Sequence, residues 1–130
     1  TVLVDAAIEG LVASGTVDTV LVGADVVLAD GSVVNKIGTR TAIRAGSEAK
    51  IDTYAVCSRD KIVPETEFDP EPGPSDAVYD GDADLGVYNP TFERTPPSDF
   101  TGLLTEDGVR STEWIASIAR THASYREWFE

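Results

Sequence analysis

Asp25, Asn35 and Lys36 are the residues of this chain whose types and spacing could do chemistry; they lie in "VGADVVLADGSVVNKIGT", residues 22–39. A carboxylate can take or give a proton, and an ammonium beside free helix amides can hold a phosphate. The β-branched run DTVLV, residues 18–22, closes on Gly23, so Asp25 is expected at a strand's carboxyl end. Asn35, Lys36 and Gly38 are expected where the next helix begins. In open parallel sheets the ligand crevice lies at the carboxyl ends of the strands. A loop of about ten residues can then bring carboxylate and ammonium to opposite sides of one small pocket, suited to a phosphorylated small molecule. Spacing alone fits equally well an Asp25 that closes a turn and a Lys36 that lies in solvent, because both types are common in such loops.

The elements that must position these residues follow from periodicity. Residues 5–14 put Ala7, Ile8, Leu11 and Val12 on one helical face, with Gly15 as the residue after the cap. Residues 18–22 predict a buried parallel strand. The Asp30-Gly31 pair marks a turn, and a helix starting near Lys36 to Thr39 continues through Ile37, Ala42, Ile43 and Ala45. DTYAVC, residues 52–57, predicts a second strand. From Pro64 to Pro97 the chain carries all seven of its prolines and many acids; residues 64–88 form an acidic Pro/Gly-rich loop of a length usually functional or ordered by a partner. Pro96-Pro97 suits a helix opening. At the end, Trp114, Ile115, Ile118, His122, Tyr125 and Phe129 share a helical face, with Trp128 beside them as a further core or interface aromatic. Alternating strand and helix predict an α/β domain with a mainly parallel sheet. Two strong strands and one weak one fall short of the five or six that an open doubly wound sheet usually has, so its first strands are expected upstream of residue 1 or from another chain.

The chain has 130 residues, the size of one domain. With 23 acidic against 10 basic residues its formal charge is −13, which disfavours nonspecific binding to nucleic acid or anionic membrane. Three lysines and an ordinary apolar content of 42% argue against disorder and fit a protein working in concentrated salt. The single cysteine, Cys57, cannot form an internal disulfide and agrees with a reducing compartment. Apolar runs are too short to span a bilayer, and no signal peptide is visible. A cytoplasmic protein is expected. The absence of Met and the start inside an apolar run suggest a piece of something longer.

"VLVGADVVLADGSVVNKIGT" closely resembles the signature of the family uniting the alpha, beta and delta regulatory subunits of initiation factor 2B with methylthioribose-1-phosphate isomerase and ribose-1,5-bisphosphate isomerase. "NPTFERTPPSDFTGLLTEDGV", residues 89–109, resembles that family's downstream block. The resemblance covers almost all of residues 1–130 and implies the C-terminal part of a Rossmann-like domain, its N-terminal strands and an N-terminal helical domain lying outside this chain. It implies that Asp25 is a catalytic acid/base and that Asn35 and Lys36, with Gly38, bind substrate. It also implies a catalytic cysteine on an earlier strand. Cys57 does not match that position and reads as a buried strand-end thiol, so the chain alone is expected to be inactive. "FERTPP" departs from the family's commoner Phe-Asp-Val-Thr-Pro through Glu93 and Arg94, and Glu93 could reach too far into the pocket.

Other signals carry less. Asp80, Asp82 and Asp84 recur as in a calcium loop, but Leu85 and Thr91 stand where Gly and Glu are needed. Gly23 and Gly31 do not form a dinucleotide-binding fingerprint, so no cofactor is implied. His122 has no metal-spaced companion and belongs to a packing face. Two functions remain. One is an aldose–ketose isomerase of a ribose phosphate, with burial tuning Asp25. The other is a regulatory-subunit-like protein whose surfaces bind translation partners. A homodimer is implied by the resemblance.

Overall fold

In a computed structural model, which describes residues 1–129, seven strands and three α-helices form two sheets around one core. A single 3-10 turn, Asp5–Ala7, leads into α1, Ile8–Ala13. Val12 is the buried residue of that helix. Gly15 follows in the left-handed region, φ 78°. β1, Thr19–Gly23, pairs in parallel with β4, Asp52–Val56, and β4 pairs in parallel with β6, Gly102–Thr105. The antiparallel β7, Gly108–Arg110, closes the order β1-β4-β6-β7. The α/β class with a mainly parallel sheet, flanked by helices, is the one expected.

The second sheet was not expected. β2, Val26–Val27, β3, Val33–Lys36, and β5, Phe92–Thr95, form an antiparallel sheet in the order β2-β3-β5. Helical spacing after Asp30-Gly31 conceals β3, because Val33 and Val34 are both buried and show no alternation for a strand to announce itself by. Asn35 and Lys36 therefore end a strand rather than open a helix. α2 begins three residues later and runs Thr39–Glu48.

β1 is buried on one face only. Val20 and Val22 turn inward, whereas Leu21 is 60% exposed and Val56, on the same outer side, is 46% exposed. β1 is an edge strand, and none of the described residues covers its outer face. On the inner face α2 comes unusually close: a Cβ on Gly46 would stand 2.6 Å from Thr53 Cγ2 and 2.9 Å from Val20 Cγ2. Ile43, one turn earlier, is fully buried.

Pro96-Pro97 opens one 3-10 turn, Pro97–Asp99, not a helix. The final helix α3, Thr112–Arg126, starts at Ser111, whose hydroxyl accepts the Trp114 N–H. Ile115 and Ala119 join Val27, Val33, Ala55, Ile62 and Leu103 in the central cluster. His122 is half-buried, with Nδ1 2.7 Å from the Ile62 carbonyl. Tyr125 and Trp128 are exposed, and the Phe129 side chain lies outside the described residues. Between Val63 and Phe92 the backbone holds a 3-10 turn, Ser75–Ala77, and a bridge between Pro72 and Pro90. No helix among the described residues is long and apolar enough to cross a membrane.

Candidate functional site

Asp25 sits two residues past the end of β1, with its N–H donated to the Val34 carbonyl at 2.9 Å. That bond draws the chain across from β1 into the β2–β3 hairpin and leaves the carboxylate exposed. The burial expected to tune it is not supplied by the described residues. Asn35 leans the other way, back over the sheet. Its Nδ2 would lie in ordinary contact with a Cβ on Gly23, at 3.9 Å, so its amide stands at the carboxyl end of β1. Asn35 Nδ2 donates to Thr39 Oγ1 at 3.1 Å, and the Thr39 hydroxyl donates to the Lys36 carbonyl at 2.7 Å. This relay fixes the last residue of β3 against the first turn of α2.

Lys36 follows Asn35 along a strand, so its side chain leaves the opposite face. It pairs in register with Phe92, and its Nζ stands 6.0 Å from the Phe92 ring centroid. Lys36 is exposed and makes no ion pair with Asp25. No ion pair of ammonium and carboxylate closes the strand end within this chain. Instead, both groups flank the tip where β1 and β3 end.

Gly38 has φ 102°, a left-handed conformation in which glycine is strongly favoured, and it turns the chain from β3 into α2. Its N–H is already engaged. Glu93 Oε1 accepts both the Gly38 N–H at 2.8 Å and the Arg40 N–H at 2.9 Å, so a side chain from β5 caps α2. Register makes this possible, because Glu93 lies opposite Asn35 in the β3–β5 pair. The Asp5 carboxylate approaches the same turn, with Oδ2 3.5 Å from where a Gly38 Cβ would be. The α2 N-terminus therefore carries the negative charge it favours from the protein itself. The sequence marks Glu93 only as an unusual residue in its block; its capping role depends on a pairing between residues 55 positions apart.

Two further charged clusters lie away from the strand tip. Arg94, the other unusual residue, is ion-paired with Asp30 in the β2–β3 turn, and Asp30 also accepts the Ser32 N–H and hydroxyl at 2.9 and 3.0 Å. Partial burial alone would push the Asp30 carboxyl up; the bonds from Ser32 and the Arg94 guanidinium outweigh it and hold the group below its ordinary value. Beyond β4, the two oxygens of Glu106 accept the Arg59 N–H at 3.0 and 3.3 Å, while the Arg59 guanidinium meets Asp107 at 3.2 Å. The Arg59 N–H, above all, keeps the Glu106 carboxyl below the usual range. Cys57 is half-buried; desolvation first and the Glu106 charge second push its thiol up, the opposite of an activated nucleophile. No group of three or more His, Cys, Asp or Glu side chains placed to hold a metal ion occurs among the described residues.

Cavities of about 440, 530 and 410 Å³ indent the surface, and Asp25, Asn35 and Lys36 line none of them. The third opens beside Arg40, Phe92 and Glu93, next to the strand-end site.

Comparison with known proteins identifies the family. The family model described as Initiation factor 2 subunit family matches residues 1–112. Ribose 1,5-bisphosphate isomerase of Haloferax volcanii is 40% identical over an alignment of 113 residues that covers 80% of this chain and 35% of that protein. The crystal structure of 5-methylthioribose 1-phosphate isomerase from Pyrococcus horikoshii OT3 superposes with a TM-score of 0.79 at 27% identity, covering 95% of this chain and 37% of that one. Subunit delta of translation initiation factor eIF-2B from A. fulgidus superposes with a TM-score of 0.78 at 28% identity, covering 92% and 38%. The chain spans about a third of the length of the curated relatives it matches.

Proposed function

The chain belongs to the initiation factor 2 subunit family, and from that premise we propose that it forms the strand-end part of an aldose–ketose isomerase acting on a ribose phosphate of the 1,5-bisphosphate kind. The observation that carries the proposal is the clustering of Asn35 and Gly23 at the carboxyl end of β1, immediately before Asp25. A scaffold has no need for an amide, a carboxylate and an ammonium at one strand tip. Isomerisation shifts a hydrogen between neighbouring sugar carbons, so one group must remove a proton while another supplies one. Asp25 serves as one of these groups. The other is a cysteine upstream of the matched region, and the remainder of the protein encloses Asp25, whose exposure in this chain is unsuited to proton transfer.

Asn35 orients the sugar through its amide, and Lys36 meets the phosphate. The Gly38 amide, assigned to substrate by the sequence, serves instead as a partner of Glu93 in this reading. The active species is a homodimer.

A second reading is favoured by the TM-score to the eIF-2B delta subunit, 0.78, which nearly equals that to the isomerase, 0.79. Backbone shape therefore does not separate enzyme from regulator. The test incubates the full-length protein with ribose 1,5-bisphosphate and with methylthioribose 1-phosphate in high salt and follows ketose formation. Asp25→Asn should lower turnover by at least about a hundredfold and leave the fold intact. No turnover with either sugar, together with binding to initiation factor 2, would select the regulatory reading.

A further inference from the structure

Thr39, the first residue of α2, is buried, and its hydroxyl donates to the Lys36 carbonyl at 2.7 Å. A hydroxyl has one proton to give, so with a carbonyl receiving it the Thr39 oxygen can only accept. The Asn35 side chain meets that oxygen at 3.1 Å. It must therefore present its NH2 there, because its own carbonyl oxygen would find no proton to accept. One buried hydroxyl thus fixes which way round the Asn35 amide stands.

The amide is planar, so turning Nδ2 onto Thr39 turns Oδ1 away from it. Oδ1 has no partner among the described residues and, on a half-buried side chain, is not sealed from solvent. Its cross-strand neighbour Glu93 cannot satisfy it: a carboxylate only accepts, and Oε1 already holds the Gly38 and Arg40 amides. Nδ2 keeps a second proton, but Oδ1, with both lone pairs uncommitted, is the edge of the amide wholly free for a ligand. The amide stands at the carboxyl end of β1, beside Gly23. What Asn35 offers there is an acceptor.

We propose that Thr39 is a positioning residue of the strand-end site: it holds the Asn35 amide with nitrogen inward, so that Oδ1 meets the sugar and accepts from one of its hydroxyls. The inference rests on the isomerase reading for its ligand, a ribose 1,5-bisphosphate, which in ring form has hydroxyl donors only at C2 and C3. Thr39 touches no substrate in this arrangement and acts through Asn35 alone.

The test measures binding of ribose 1,5-bisphosphate to the full-length protein by calorimetry in an Asp25→Asn background, which slows conversion of the sugar, and follows turnover separately with Asp25 in place. Thr39→Val should weaken binding about three- to tenfold, and Thr39→Ser, which keeps the hydroxyl, should bind within about twofold of the parent. Thr39→Ala replaces the valine variant should that one fail to fold. In an Asn35→Ala background Thr39→Val should add no further loss, whereas an effect carried by the Lys36 carbonyl would persist there. Of the two ribose 1,5-bisphosphates with fluorine replacing the hydroxyl at C2 or at C3, which leaves no proton to give, one should bind about three- to tenfold more weakly and be indifferent to Thr39→Val. Parent affinity in Thr39→Val, equal losses with valine and serine, an undiminished loss in the Asn35→Ala background, or full affinity for both fluorinated sugars would each overturn the proposal. No ketose with Asp25 in place, alongside the expected binding pattern, would support the positioning role and remove the isomerase reading alone; no binding of the sugar at all would overturn both.

Discussion

Replacing Glu93 isolates the contact that joins β5 to the first turn of α2. One oxygen, Oε1, accepts both the Gly38 and the Arg40 N–H, at 2.8 and 2.9 Å. Glu93→Ala removes both acceptors and the charge. Loss of a helix cap costs about 0.5–2 kcal/mol, and water can reach part of this half-buried carboxylate, so about 1–2 kcal/mol is expected in place of two full charge-assisted bonds. At this chain length each kcal/mol corresponds to roughly 3–5 °C, giving a fall in Tm of about 3–10 °C. Glu93→Gln keeps an acceptor oxygen in the same place and loses only the charge facing the helix dipole, worth about 0.3–1 kcal/mol. Its deficit should shrink as salt is added, whereas most of the alanine deficit should persist. Thermal unfolding at low and high salt, with hydrogen exchange at the Gly38 and Arg40 amides, measures both. If alanine and glutamine variants melt alike and within about 0.5 kcal/mol of wild type, the cap contributes nothing and the reasoning fails.

Asp30 links stability to pH. Its folded-state pKa lies below its ordinary value of 3.8, so its contribution is complete above that value and is lost as pH falls through the lower folded one; Asp30→Asn should flatten the acid limb of the stability profile in that window, as followed by urea unfolding. Gly46→Ala drives a methyl to 2.6 Å from Thr53 Cγ2 and 2.9 Å from Val20 Cγ2, so despite alanine's better helix propensity it should destabilise by about 1–3 kcal/mol, measurable by the same unfolding assay. In the full-length protein, Lys36→Met should raise KM for a ribose phosphate more than it lowers kcat, with Tm within about 2 °C of wild type, since Lys36 is exposed.

Period and punctuation made α2, α3, β1 and β4 legible, because each has either helical spacing or a compact β-branched run between turn residues. β3 was concealed for the opposite reason: a strand inside a layered core carries apolar residues on both faces. β5 and β6 lay within a block that could be matched as a signature but not read for structure, since FERT and GLLT are short and proline separates them. At the candidate site, residue types were legible and directions were not. Asn35 and Lys36 look like a pair in a helix opening; on a strand they part to opposite faces, and only the β3–β5 register reveals that Asn35 shares its side with Glu93. Glu93 was visible as unusual in its block, but its partners were not. It reaches the helix amides and closes them off.

That closure constrains how any phosphorylated sugar could lie. An anion approaching the α2 N-terminus meets Glu93 already bonded to two of its amides and Asp5 beside Gly38, so repulsion drives it away from the position that a bare helix end would favour. Lys36 offers a cation close by, but on the face of β3 opposite to Asn35. A ligand that uses Asn35 for its sugar and Lys36 for its phosphate must therefore arch over the end of β3 instead of resting on one side of the sheet.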